Sequence, residues 1–302
     1  MLSQLLPIFF NVISPVFGLV LIGYLFSKPL GLESRTLSRY AYYILVPAFV
    51  FNTISQADLK GDVLLRMIGY TLLIQIVGAL LAFGLAKLLK RSAEMVAAYI
   101  LVMSFANVGN FGLPIIEFRL GPAALADATI YFLIILTSGF IIGVAAANWV
   151  KGGSATAMLE VLKTPALIAL GPALLVNVFD IPLPLLIFRL TELLGKAMVP
   201  TMLVTLGVQL SLIKGLRFNR DVIIVSLLRL VGGALLAIVL ASPFNLPELT
   251  RNTGIIQASM PAAVLTSLIA LEHGLKPDFV TTSVLFSTLL SVITLTLLMA
   301  WL

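Results

Sequence analysis

Hydrophobic residues follow one another along this chain in long continuous runs, without the two-residue alternation of a half-buried strand. A run of about 20 apolar residues crosses the roughly 30 Å hydrocarbon core of a bilayer as a helix. We predict ten such spans, at residues 4–26, 36–55, 63–88, 94–117, 125–149, 158–178, 190–212, 220–241, 249–272 and 277–301. Because the links between them are short, residues 1–302 are predicted to form a single all-α membrane domain embedded in the lipid bilayer.

Two of the runs, spans 4 and 9, contain helix breakers where a spanning helix would be continuous. Span 4 contains Asn107-x-Gly109-Asn110-x-Gly112-x-Pro114, and span 9 contains Gly254-x-x-Gln257-x-Ser259-Met260-Pro261. Glycine relaxes the backbone, and proline cannot donate to the carbonyl four residues earlier. One such run on its own fits a simple proline kink. A matched pair of interrupted helices is typical of the binding site of a secondary transporter.

An interrupted helix creates new helix ends at membrane depth, and these ends indicate a candidate site. The N-terminus of each second half-helix has free N–H groups and a partial positive charge, which suit a carboxylate. The candidate substrate-binding residues are Asn107, Gly109, Asn110 and Pro114 in span 4, and Gln257, Ser259, Met260 and Pro261 in span 9.

The chain also matches itself at a spacing of roughly 150 residues. The matched positions are Pro15 with Pro165, Pro47 with Pro200, Asp62 with Asp221, Gly78 with Gly233, Pro114 with Pro261, Asp127 with Asp278 and Trp149 with Trp301. These matches predict one repeat over residues 1–150 and a second over residues 151–302, with five spans each. Because five is odd, the second repeat is predicted to insert upside down relative to the first, as in inverted-repeat transporters.

Composition and charge narrow the class of protein. The chain is 60% hydrophobic and 11% charged, with a net charge of +6, whereas soluble domains carry about 25% charged residues. The positive charge does not indicate nucleic-acid binding, because most Lys and Arg residues lie in short loops between spans. Twelve lie in odd-numbered loops and six in even-numbered loops. The odd loops are therefore predicted to be cytoplasmic, with both termini outside the cell membrane.

Few residues of this chain could carry chemistry. There is no cysteine and one histidine, and no Asp or Glu lies in the middle of any span. We therefore predict no metal site, no cofactor and no enzyme activity, while a channel remains an alternative. Arg229 is the single formal charge well inside a span. It either serves the cavity or coupling, or it snorkels outward or pairs with a loop acid. Asn52 is a second possible cavity residue.

The span-4 and span-9 segments resemble a known family. Asn107-Val108-Gly109-Asn110-Phe111-Gly112-Leu113-Pro114 resembles the span-4 motif of the auxin efflux carrier family, which includes plant PIN-type carriers and prokaryotic members. Ser259-Met260-Pro261-Ala262-Ala263, leading to Glu272-His273-Gly274, resembles its span-9 pattern. That family is similar in fold to bile acid/sodium symporters.

The resemblance implies a fold and a function. Spans 4 and 9 would cross, a scaffold panel of spans 1, 2, 6 and 7 would support a transport core of spans 3–5 and 8–10, and the panel would form a homodimer. The substrate would be a small organic anion, framed by Asn107, Asn110, Pro114 and Pro261 and moved by an elevator mechanism. The alternative is a sodium-coupled symporter of the bile-acid type. Two features depart from these families. The long loop of many plant carriers is missing, and the acidic sodium ligand that bile acid symporters have in span 9 has no counterpart here, where Gln257 is the nearest polar group.

Overall fold

A computed structural model describes residues 2–58, 61–151, 162–213 and 218–302, and these residues are almost entirely helical. We number the helices so that the two halves of an interrupted helix share a number. The first half has α1 (Leu2–Ile8, Phe9–Ile13 and Ser14–Phe26), α2 (Ser34–Tyr40, Ala41–Leu45 and Val46–Ser55), α3 (Gly61–Leu88), α4a (Ala93–Ser104), α4b (Val108–Gly112 and Leu113–Leu120) and α5 (Leu125–Lys151). The second half has α6 (Pro165–Val178), α7 (Leu185–Ser211), α8 (Arg220–Leu227, Leu228–Gly232 and Gly233–Ala241), α9a (Glu248–Ala258), α9b (Leu265–Glu272) and α10 (Pro277–Trp301).

Six helices within these ranges are long and apolar enough to cross a membrane, judged by length and composition: α1, α3, α5, α7, α8 and α10. The helices α4a and α6 are apolar but shorter. The prediction of an all-α membrane protein is therefore confirmed, whereas ten crossings and an inverted repeat stay predictions. Part of span 6, residues 158–161, lies outside the described residues.

Three prolines of the first half sit directly after a wide π-helical turn. The turn Phe9–Ile13 precedes Pro15, Ala41–Leu45 precedes Pro47, and Val108–Gly112 precedes Pro114. In a π turn each N–H bonds to the carbonyl five residues earlier rather than four. The wider turn accommodates the proline, which cannot donate to the carbonyl four residues before it. The repeat partner of Pro47, Pro200, has no such turn before it and lies inside the continuous helix α7.

Glycines allow α1 and α7 to pack with their backbones in contact. A Cβ atom at Gly23 would overlap the carbonyl oxygen of Val204, and one at Gly207 would overlap that of Val20. Small residues permit this approach between membrane helices, where apolar surface alone gives no preference for protein over lipid. Helix α2 packs against α6 and α7, so α1, α2, α6 and α7 form one packed group.

The interrupted helices lie in a second packed group. Helices α3, α4a and α5 contact one another. Helix α10 contacts α8 and α9b, and α8 contacts α9a. Glycines also matter here, because a Cβ at Gly139 or Gly143 of α5 would press on the ring of Phe105 at 3.2 and 3.0 Å. The pair Gly139-x-x-x-Gly143 therefore accommodates Phe105, the first residue of the α4 break.

Candidate functional site

The breaks in α4 and α9 meet and hydrogen-bond to each other through their main chains. The N–H of Asn107 donates to the carbonyl of Pro261 at 2.7 Å, and the N–H of Ala263 donates to the carbonyl of Phe105 at 2.8 Å. These bonds form an isolated antiparallel bridge between Ala106 and Ala262. The two interrupted helices therefore cross at their breaks, and each supplies partners for groups that the other has freed. We call this contact the crossover.

Side chains from neighbouring helices bind the carbonyls at the ends of α4a and α9a. Gln75 of α3 donates to the carbonyl of Ser104 at 2.6 Å. The guanidinium of Arg229 on α8 donates through Nη1 to the carbonyl of Met103 and through Nη2 to that of Ala258. Freed carbonyls at membrane depth need such partners because lipid offers none. The carbonyls at the C-terminal ends of α4a and α9a are thus bound by one side-chain amide and one cation.

Gln257 links α9a to the other interrupted helix. It is fully buried, and its Nε2 lies 3.3 Å from the carbonyl of Val108 and 3.4 Å from that of Ala128. A Cβ atom at Gly112 would overlap its Oε1. Glycine at position 112 is therefore required for this side chain to reach across from α9a to α4b.

The N-terminal ends of the second half-helices remain open. The main-chain N–H groups of Gly109 and Asn110 in α4b, and of Val264 and Leu265 at the start of α9b, have no acceptor within the part of the chain that the structure describes. The Nδ2 of Asn107 is also buried without an acceptor there, on a residue only 4% exposed. Unpaired N–H donors at a helix N-terminus favour an anion.

These open ends border one cavity of about 600 Å³. Its lining includes Asn107, Gly109 and Asn110 from the α4 side and Val264 and Leu265 from the α9 side. Beyond the crossover itself, the lining comes from α2, α5, α6, α7 and α9b, so the cavity lies between the two packed groups of helices. Its size suits a small organic molecule.

Charged and polar side chains make this cavity electropositive. Arg35 and Arg39 line it from the first turns of α2, and none of the described residues that line it is Asp or Glu. Gln209 of α7 lines it as well, donating to Ser38 at 3.1 Å while its Oε1 has no partner among the described residues. Two cations and the open helix ends without a compensating carboxylate attract anions.

The predicted site residues fall into two sets. Asn107, Gly109 and Asn110 line the cavity, and Gly109 packs so closely that a Cβ would lie 2.9 Å from the Phe132 ring. A second set is buried beside the crossover without lining the cavity: Pro114, Gln257, Ser259, Met260 and Pro261. Pro261 contributes the carbonyl that Asn107 binds, and the hydroxyl of Ser259 turns back to the carbonyl of Ile255. The span-9 members therefore build the crossover behind the cavity.

The two further candidates lie apart from the cavity. Asn52 is half-buried on α2, where its Oδ1 accepts from Gln56 at 3.2 Å. Arg229 is 3% exposed and bonds to the crossover carbonyls, so it neither snorkels outward nor pairs with an acid among the described residues.

Several lining residues were not among the predicted site residues. Arg35 and Arg39 were counted only as loop charges, although a spacing of four residues at the start of a helix places both on one face. That spacing is the signal that identifies them. Val264 and Leu265 carry no such signal, because their contribution is the main chain.

Comparison with known proteins identifies the family of this chain. The profile of a family described as "membrane transport protein" matches residues 8–145 and 154–299. The chain belongs to the membrane transport protein family. This family is that of the auxin efflux carriers, so the resemblance seen in the two interrupted spans is confirmed.

Full-length relatives carry transporter names. An uncharacterized transporter of Methanocaldococcus jannaschii is 27% identical over 299 residues, covering 95% of this chain and 96% of the relative. An uncharacterized transporter of Methanothermobacter thermautotrophicus is 28% identical over 298 residues, covering 93% and 94%. A Rhizobium meliloti protein whose name proposes it as a malonate transporter is 25% identical over 304 residues, covering 95% and 93%.

Proposed function

We propose that this membrane transporter is a secondary carrier of small organic carboxylates in the cytoplasmic membrane. The observation that carries the proposal is the cavity at the crossover: its described lining has two arginines, four free main-chain N–H groups and no acidic residue. A carboxylate would accept hydrogen bonds from Gly109, Asn110 and the start of α9b, with the Asn107 amide beside them. Malonate is the first substrate to test, because one full-length relative is named for it.

The proposed mechanism is an elevator motion of the core, formed by α3–α5 and α8–α10, against the panel, formed by α1, α2, α6 and α7. The cavity between these groups supports it, since a bound anion would touch the crossover on one side and α2 and α7 on the other. This scheme takes all ten predicted spans to cross the membrane as two inverted repeats. It also keeps the homodimer that the resemblance implies.

Orientation gives the proposed state of the cavity. Most of its lining residues outside the crossover lie in the parts of α2, α6, α7 and α9b nearest to odd-numbered loops, while Phe132, Ile135 and Leu136 lie in the first half of α5. Those loops are predicted to be cytoplasmic. The cavity therefore corresponds to a carrier open to the cytoplasm, with Arg35 and Arg39 at its entrance.

Uptake of radiolabelled malonate into proteoliposomes that contain the purified protein tests this function. We expect saturable uptake that excess unlabelled malonate suppresses and excess choline, a cation of similar size, does not. A battery of mono- and dicarboxylates that neither bind nor cross would refute the proposal. Single-channel currents carried by the same anion would instead indicate a channel.

The same vesicles test the alternative of a sodium-coupled symporter. Replacing Na⁺ with N-methyl-D-glucamine at constant ionic strength abolishes uptake by a sodium symporter. Uptake that continues unchanged refutes that alternative and leaves the carrier of organic anions in place.

A further inference from the structure

Arg229 stands between the C-terminal ends of both first half-helices. Its two terminal nitrogens bind separate carbonyls, that of Met103 in the last turn of α4a and that of Ala258 at the last residue of α9a. The residue is 3% exposed, and none of the ion pairs between described residues includes it. A buried cation is thus held by main-chain oxygens rather than by a carboxylate.

The charge matches what these helix ends require. Each helix C-terminus carries about half a negative elementary charge, so two converging ends have roughly the charge that one cation neutralises. A neutral donor satisfies a carbonyl but leaves this charge in place, as Gln75 does for Ser104. Arg229 both donates and compensates the charge.

Local structure fixes the arginine in this position. It lies in a π turn, Leu228–Gly232, that is not followed by a proline, and π turns inside helices frequently mark functional positions. The residue that follows this turn is Gly233, where a Cβ would lie 2.7 Å from Nη2 of Arg229 and would overlap the Ala258 carbonyl. The wide turn and the adjoining glycine bring α8 close enough for the guanidinium to reach both carbonyls.

The surroundings of the guanidinium are those of a site for an alkali-metal ion. The carbonyl oxygens of Met103 and Ala258 converge there, and the hydroxyl oxygen of Ser104, next to Met103, is buried without a partner among the described residues. Carbonyl oxygens and half-helix C-termini are ligands that membrane proteins use for K⁺ and Na⁺.

We propose that Arg229 is a tethered cation that permanently occupies the position of an alkali-metal ion between α4a and α9a. The wild-type crossover is therefore complete without a bound metal ion. Removing the side chain by Arg229→Ala creates an oxygen-lined site that Na⁺ fills. Arg229 acts here as a positioning residue, which holds the two interrupted helices together while the cavity binds its anion.

The test measures the unfolding temperature of purified protein in NaCl and in N-methyl-D-glucamine chloride at equal ionic strength, with no organic anion present. We expect the wild type to unfold at the same temperature in both salts. Arg229→Ala unfolds several degrees lower in N-methyl-D-glucamine and recovers a large part of the loss in NaCl, because a ligand that binds only the folded state raises its stability. Arg229→Lys, which keeps the charge, is expected to be insensitive to Na⁺.

Gln75→Leu is the matched control, because it removes a buried donor to an α4a carbonyl but leaves the cation. It is expected to lose stability equally in both salts. The proposal is overturned if Na⁺ does not stabilise Arg229→Ala, or if Na⁺ stabilises Gln75→Leu by as much. If Arg229→Ala does not accumulate in either salt, Arg229→Lys decides, and a lysine variant as defective as the alanine variant also overturns it.

None of these measurements uses transport, so their failure is distinct from failure of the proposed carrier function. In the proteoliposome assay, malonate uptake by Arg229→Ala becomes dependent on Na⁺, whereas wild-type uptake does not.

Discussion

Replacing Asn107 with alanine is expected to weaken anion binding while leaving the empty protein at least as stable as before. Its Nδ2 is buried without an acceptor in the described residues, and an unsatisfied buried donor costs about 1–3 kcal/mol. Asn107→Ala removes that cost. The substitution leaves the main-chain bond to Pro261 intact, and it opens no closed void because the residue already borders the cavity. The unfolding temperature without anion is therefore unchanged or higher.

Anion binding changes in the opposite direction. A hydrogen bond to a charged partner contributes about 1.5–3 kcal/mol, and each 1.4 kcal/mol is about tenfold in affinity. Asn107→Ala is thus expected to lower the affinity for malonate by roughly 10- to 100-fold. Titration calorimetry on purified protein measures the affinity, and unfolding scans with and without malonate measure the stability.

Asn177→Ala is a control with the same change of side chain. The Asn177 amide donates to the carbonyls of Ile54 and Ala57 at 3.0 and 2.6 Å, away from the crossover. Its removal is expected to lower stability by about 1–3 kcal/mol and leave malonate affinity unchanged. If Asn107→Ala behaves like Asn177→Ala, with lower stability and unchanged affinity, the Asn107 amide does not bind the anion.

Two further predictions concern the entrance and the packing of the crossover. Replacing both Arg35 and Arg39 with alanine is expected to raise the KM for malonate uptake at low ionic strength. The difference in KM from wild type shrinks in high salt because salt screens exposed charges. A difference that does not depend on salt would contradict the view that the two arginines attract the anion to the cavity. Gly112→Ala is expected to displace Gln257 and lower the unfolding temperature by several degrees, whereas Gly84→Ala on α3, where a Cβ meets nothing within 4 Å, is neutral or stabilising. Equal effects of the two alanines would show that Gly112 is not needed for that contact.

The sequence predicted the α4 break well because the responsible residues act locally. Gly109, Gly112 and Pro114 lie within a few residues of one another, and the helix is interrupted at Phe105–Asn107, directly before them. Asn107 and Asn110 line the cavity, as expected of polar residues beside a break. What they bind stays a prediction.

The α9 break begins later than the sequence pattern indicated. Gly254 and Gln257 lie within α9a, and the helix ends at Ala258. Gly254 serves a long-range contact, since a Cβ there would overlap the ring of Tyr70 on α3 at 2.5 Å. A glycine that admits a neighbouring ring and a glycine that ends a helix look the same in sequence, because the distinction depends on tertiary packing.

The α7 side of the cavity could not be predicted from the sequence for a similar reason. Thr205 and Gln209 follow Pro200 on α7, and both line the cavity, but nothing along α7 indicates which face meets the crossover. The contribution of Val264 and Leu265 is made by main-chain N–H groups, which every residue except proline has. Their part in the site follows from where α9b begins.

The crossover is closed by the main-chain bonds of Asn107 to Pro261 and of Ala263 to Phe105. These bonds use main-chain atoms, so the side chains of residues 106, 262 and 263 take no direct part in them. The bonds that join the two interrupted helices therefore come from main-chain groups, whereas the α2 and α7 side of the cavity is lined by side chains. Such a protein can acquire a new substrate through a few side-chain changes along α2 and α7, without having to evolve a new way of crossing its helices.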